Sequence, residues 1–345
     1  MKNFIKTVPS KLGDISLITL VNESGASVTL STIGAGIVSI IVPDASGKLD
    51  DVVLGYKDPC DYIYDGPCAG KIPGRYANRI AKGKFQVDGV EYNLVINNGP
   101  NALHGGPTGF MNRNWKYEID NNSVVFSYLS ADGEEGYPGN LKVMAVYTWT
   151  ESNNLTLDMF AETDKKTIIN LTNHTYFNLN GESSGTALNH TLKLNASKYL
   201  PTDSSLIPTG EMADVNSTPM DFTKSKVLGE DIQADFPALK FGKGYDNCWV
   251  IDDWEKDKVA LAATLKGDKS GRVLEIYTSQ PAVQVYTGNW LTGSCLGKSS
   301  TEYKDYDAVA IECQGMPDAP NHENFPSQYL SPGEIYKRTI IFKFN

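Results

Sequence analysis

Two ionisable side chains stand in settings suited to moving a proton. NLTNHTYFNL, residues 170–179, places His174 in an Asn/Thr-rich stretch that alternates like a β-strand. Read as a strand, it sets Ile169, Leu171, Phe177 and Leu179 on one face and Thr172, His174, Tyr176 and Asn178 on the other. The first face suits a core. The second can bind and protonate a polyhydroxylated ligand, or it can hold a structural histidine bonded to its Asn and Thr neighbours. The other ionisable group is Glu312, in VAIECQGMPDAPNHENFPS, which follows the apolar run Val309, Ala310, Ile311 and precedes a Pro-rich loop. Burial there raises a carboxylate above its ordinary pKa of ~4.3, as a general base requires. The plainer reading is an edge-strand glutamate or a partner for Lys or Arg.

Four further stretches offer polar company. GKIPGRYANRIAKGKF sets Arg75 and Arg79 around Asn78, an array of donors for sugar hydroxyls or a solvated surface loop. In NALHGGPTGF the glycines after His104 predict a tight turn that presents the imidazole, which in the simpler case only faces water. AVQVYTGNW turns Gln284 away from Val283 and Val285, and GKGYDNCWV places Asp246 at the approach to a strand. The four histidines show no HxH or HxxxH pairing and no cysteine stands at ligand spacing, so no metal site is expected. There is no GxSxG elbow either, so a carboxylate–imidazole pair acting on a neutral polyol is the chemistry these residues describe best.

The elements that must position these groups are strands. LKVMAVYTW, NLTLDMFA and RTIIFKF each put apolar residues on one face only, and Gly-, Asn- and Pro-rich turns separate them. Helical periodicity is nearly absent, and no strand is followed by GxGxxG. The pattern predicts an all-β protein, a large antiparallel β-sandwich with few short helices, as one domain spanning 1–345.

The composition narrows the partners. A net charge of −10 disfavours nucleic acid and weighs mildly against polyanionic substrates. Five scattered cysteines without a CxxC pair fit a reduced, cytoplasmic protein. Neither a secretory leader nor a membrane-spanning run is expected from the sequence.

Taken in order, GRYANRIAKGKF, NALHGGPTGF, NLTNHTYFNL, YDNCWV, QPAVQVYTGNW and ECQGMPDAPNHENFPS resemble the aldose 1-epimerase (galactose mutarotase) family. The resemblance runs from about residue 70 to residue 330. It implies a galactose mutarotase-like supersandwich with the active site in a groove on a concave sheet, no cofactor, and a free monosaccharide as substrate. It further implies Glu312 as general base and His174 as general acid, with Asn78, Arg79, His104, Tyr176, Asp246 and Gln284 binding the sugar. One departure is visible: family members often carry a histidine after the aspartate, where this chain has Asn247, which places fine substrate preference in question. Within the superfamily a hexose-phosphate epimerase is the alternative, and outside it a non-catalytic carbohydrate-binding protein.

Overall fold

The computed structural model describes residues 1–345. Antiparallel strands build almost everything, and the one α-helix, Pro237–Gly242, is six residues long. A nine-stranded sheet forms one wall, with Leu141–Trp149, Asn154–Thr163 and Tyr336–Phe344 near its centre. The alternating residues of these strands, Leu141 to Trp149, Leu155 to Ala161 and Ile340 to Phe344, all point into a core cluster of 58 buried residues. A five-stranded N-terminal sheet shares that core through Ile18, Leu20, Val28, Leu30 and Ile40. No helix is long and apolar enough to cross a membrane.

The sheet that matters for chemistry has six strands: β1 (Tyr176–Phe177), β2 (Lys198–Tyr199), β3 (Ala213–Asp214), β4 (Asp246–Val250), β5 (Ala282–Tyr286) and β6 (Val309–Gln314). They lie in the order β1-β6-β5-β4-β2-β3, every neighbouring pair antiparallel. Trp249, Val283, Val285, Val309, Ile311 and Cys313 join the shared core. Because side chains alternate along a strand, Asp246, Gln284, Tyr286, Ala310 and Glu312 face the other way.

Cross-strand register sorts that second face into rows. Tyr176 pairs with Ala310, Ala310 with Tyr286, and Tyr286 with Asp246. In the next row Glu312 stands opposite Gln284, and Gln284 opposite Cys248. The small Ala310 leaves room for Tyr176 and Tyr286 to approach, with ring centroids 6.0 Å apart. Glu312 therefore sits on an interior strand, which removes the edge-strand reading.

The stretch around His174 departs from the predicted strand. Only Thr167–Ile168 and Tyr176–Phe177 are extended ladders, and residues 169–175 run between them without one. Local side chains take the place of ladder partners: Asn173 Oδ1 accepts from the Thr175 backbone and hydroxyl, and Thr172 Oγ1 donates to the Cys313 carbonyl. Such Asn and Thr bonds compete with sheet pairing. The alternation still sorts the side chains, since Ile169, Leu171, Phe177 and Leu179 lie in the core as the pattern predicts. The opposite face, however, is buried as well.

Candidate active site

A cavity of about 840 Å³ opens over the rows of β1, β6, β5 and β4. Its lining includes Asn78, Arg79, His104, His174, Tyr176, Asp246 and Glu312, drawn from segments far apart in the chain. His174 Nε2 lies 3.5 Å from Glu312 Oε1. Two backbone bonds hold the histidine, its N–H donating to the Lys71 carbonyl and its own carbonyl accepting from Gly70 N, both at 2.9 Å. Its ring packs 4.9 Å from Tyr176, whose hydroxyl donates to the Pro67 carbonyl and is thereby fixed. Tyr176 accordingly offers the cavity a ring surface and leaves its hydroxyl to the protein.

Burial acts on the two proton carriers in opposite directions. It disfavours the charged form of each. The Glu312 carboxyl is held well above the usual carboxylate range, by burial first and by the Asp246 charge second, with Arg79 opposing. The His174 imidazole is pushed down to about 4, again chiefly by burial. A carboxyl held up and an imidazole held down, 3.5 Å apart, form a pair able to pass a proton between them.

His104 is built for donation. It adopts φ of +53°, and a Cβ on Gly105 would come within 1.9 Å of the Gly74 carbonyl oxygen, so only glycine lets the turn close here. Asn78 N–H donates to His104 Nδ1 at 3.1 Å and His104 N–H donates to the Asn78 carbonyl at 3.0 Å. With Nδ1 accepting, the proton of the neutral ring lies on Nε2. Burial first, then the neighbouring His174, Arg79 and Lys71, hold this imidazole well below its ordinary pKa and so keep it neutral.

Arg79 and Asp246 form the far wall, with Nη2 and Oδ2 3.6 Å apart. Arg79 Nε donates to Asn98 Oδ1 at 3.1 Å, and Gln284 Nε2 donates to Asp246 Oδ1 at 2.6 Å. Gln284 does not line the cavity. Its amide is occupied by Asp246, so it holds the carboxylate from below. The site as a whole has a carboxyl–imidazole pair at one end and a neutral imidazole, a guanidinium and a carboxylate, groups able to bond hydroxyls, at the other.

The aldose 1-epimerase family model matches residues 16–343. The chain belongs to the aldose 1-epimerase family. It is an isomerase that interconverts sugar anomers. It is 44% identical over 312 residues to the galactose mutarotase of Homo sapiens, covering 90% of this chain and 89% of that one. It is 36% identical over 331 residues to the aldose 1-epimerase of Escherichia coli K12, covering 95% and 94%. A solved aldose epimerase homologue from C. elegans superposes with a TM-score of 0.87 at 33% identity, covering 95% of this chain and 98% of that one.

For this aldose 1-epimerase the departure at Asn247 acquires a location. Asp246 faces the cavity, so its neighbour on β4 faces the opposite way, and Asn247 is buried outside the cavity lining. Arg75 is also displaced from the expected cluster. Its guanidinium donates to the carbonyls of Pro138 and Gly139 and to Ser130 Oγ, ties made wholly inside the fold. Arg75 is thus a staple, and Arg79 alone of the two reaches the cavity.

Sequence reasoning passed over Tyr286 and Trp290, which line the cavity with rings 6.3 Å apart and nearly parallel at 20°. The signal for Tyr286 was present, since it follows Gln284 by two residues on the same strand face. Trp290 lies past the strand, where alternation carries no information.

Proposed function

We propose that this aldose 1-epimerase interconverts the α and β anomers of free aldohexoses such as galactose and glucose, with Glu312 as general base and His174 as general acid. The observation that carries this reading is the 3.5 Å approach of His174 Nε2 to Glu312 Oε1 inside the cavity. The anomeric hydroxyl oxygen and the ring oxygen share one carbon, so groups this close reach both at once. Glu312 takes the hydroxyl proton while His174 protonates the ring oxygen, and the C1–O5 bond breaks to give the open-chain aldehyde. Rotation about C1–C2 exposes the other carbonyl face. His174 then recovers its proton, Glu312 returns its own, and the ring closes as the other anomer. Each transfer is internal, so the couple ends as it began. Asn78, Arg79, His104 and Asp246 bind the remaining hydroxyls, with Gln284 holding Asp246 and Tyr176 holding the His174 ring.

A phosphorylated hexose fits less well. Arg79 is the one Lys or Arg among the lining residues, and it already faces Asp246 and Asn98. A pure binding protein has no need of a paired acid and base.

Polarimetry on freshly dissolved α-D-galactose and α-D-glucose tests the reading. Anomer equilibration should accelerate in proportion to enzyme concentration. A rate equal to the buffer blank overturns it, and a faster rate on glucose 6-phosphate favours the phosphohexose alternative.

A further inference from the structure

Asn98 lines the cavity beside Arg79, Leu103 and His104, half-buried. Its side-chain oxygen accepts from Arg79 Nε at 3.1 Å. Because a guanidinium only donates, this bond fixes which way round the amide lies. Nδ2 is left as the free end, and no protein acceptor takes its protons. The backbone that carries the amide is held on both sides. Asn98 and Asn101 exchange two backbone bonds, at 3.1 and 3.0 Å, across a turn made by Gly99 and Pro100, with Gly99 at φ of +55°. The Asn97 side chain bonds both the N–H and the carbonyl of Leu103, at 2.7 and 3.0 Å, and Leu103 stands opposite Arg79 in a short antiparallel pair. Asn101 Oδ1 accepts from Lys82 N–H at 2.9 Å. An exposed turn is thereby pinned next to Arg79, and its amide is presented with little freedom left to lose on binding.

We propose, resting on the assignment of the His174–Glu312 pair to C1, that Asn98 is a further sugar-binding residue, donating from Nδ2 to a hydroxyl oxygen at C3 or C4. Arg79 and Asp246 form the wall across the cavity from that pair, so a group bonded to Arg79 meets the ring edge opposite C1. Asp246 lies on β4, two strands from Glu312 on β6, roughly 10 Å away at the usual spacing of strands. The three groups complement a hydroxyl, which has one proton to give and lone pairs to fill. Asp246 accepts the proton, while Asn98 and the remaining Arg79 donors bond the oxygen. The guanidinium charge on Oδ1 polarises the amide and strengthens the bond that Nδ2 makes. Asn98 thus carries part of the Arg79 charge to a hydroxyl that Arg79 itself need not reach.

The test compares the wild type with Asn98→Ala and with Asn98→Asp, which keeps an acceptor for Arg79 Nε but loses the amide donors. Both variants should raise KM for galactose by about three- to tenfold, with kcat lowered by no more than about twofold. On the 3-deoxy and 4-deoxy analogues of galactose, the KM ratio of Asn98→Ala to wild type should fall to about one for the analogue that lacks the bonded hydroxyl. An unchanged KM in Asn98→Ala overturns the proposal. A raised KM in Asn98→Ala beside a normal one in Asn98→Asp also overturns it, and leaves Asn98 a support for Arg79 alone. So does a ratio that stays raised on both analogues. Calorimetric titration with galactose carries the test without turnover: Asn98→Ala should weaken Kd by the same factor as KM, and an unchanged Kd overturns the proposal. Failure of the mutarotase reading is distinguishable, since the wild type itself would then equilibrate the anomers no faster than the buffer blank.

Discussion

His174 and Glu312 meet on the floor of the cavity, Nε2 to Oε1 at 3.5 Å, with both side chains almost wholly withdrawn from water. One holds its position through a loop clasped to Gly70 and Lys71, the other through an interior strand. If they form the acid–base couple, Glu312→Gln and His174→Asn each lower kcat by about 10²–10⁴-fold. Circular dichroism should be unchanged in both. Near-normal kcat in either variant excludes that residue from proton transfer.

The raised Glu312 carboxyl makes a signed statement about stability. Inside the fold it keeps a proton that the unfolded chain releases above about pH 4.5, so its contribution is lost as pH rises through the folded value. Glu312→Gln should therefore show a higher Tm than the wild type at pH 8 while being inactive. His190 acts with the opposite sign. Burial lowers it to about 4, and the unfolded chain takes up a proton near 6.5 that the fold refuses, so stability falls as pH drops across that window. Thermal melts of His190→Gln from pH 7 to 4 should show a shallower loss than the wild type.

Gln284 Nε2 donates to Asp246 Oδ1, so if Asp246 binds the sugar, Gln284 acts through it. Removing its amide in Gln284→Ala frees the carboxylate to turn, and KM for galactose should rise by about tenfold with a smaller change in kcat. A change confined to kcat would place Gln284 in the chemistry instead.

Arg75 and Arg79, so close in sequence, should fail differently. Arg75→Lys loses the fork that bonds Pro138, Gly139 and Ser130 and should cost about 2–4 kcal/mol in urea denaturation, with kcat/KM of the folded enzyme little altered. Arg79→Lys should do the reverse, raising KM at nearly normal stability.

Asn247 lies on the far side of β4 from the cavity. Asn247→His should leave the ratio of kcat/KM for galactose and glucose unchanged and register in Tm alone. A changed ratio would show that residues behind the strand reach the specificity of the site.

Much of this was legible beforehand because it depends on local rules. The alternation in LKVMAVYTW, NLTLDMFA and RTIIFKF specified strands with one buried face, and those faces are buried. The turn at His104 was readable from Gly105 and Gly106. The strand reading of 169–175 was not, because Asn173 Nδ2 donates to the Gly70 carbonyl, Thr172 Oγ1 donates to the Cys313 carbonyl, and no ladder forms. Pattern alone cannot tell a polar side chain that faces solvent from one that is bonded to a distant backbone.

The sequence by itself determined which side chains share a face: Asp246 and not Asn247, Gln284 and not Val283, Glu312 and not Ile311, since strand alternation is a property of consecutive residues. Only the tertiary structure decided which faces meet. It brought Glu312 to His174, sent Arg75 inward and Arg79 to the cavity, bonded Gln284 to Asp246, and buried Lys71 in an ion pair with Asp65. Register between strands, loop closure and desolvation set those distances, and each depends on partners remote in the chain.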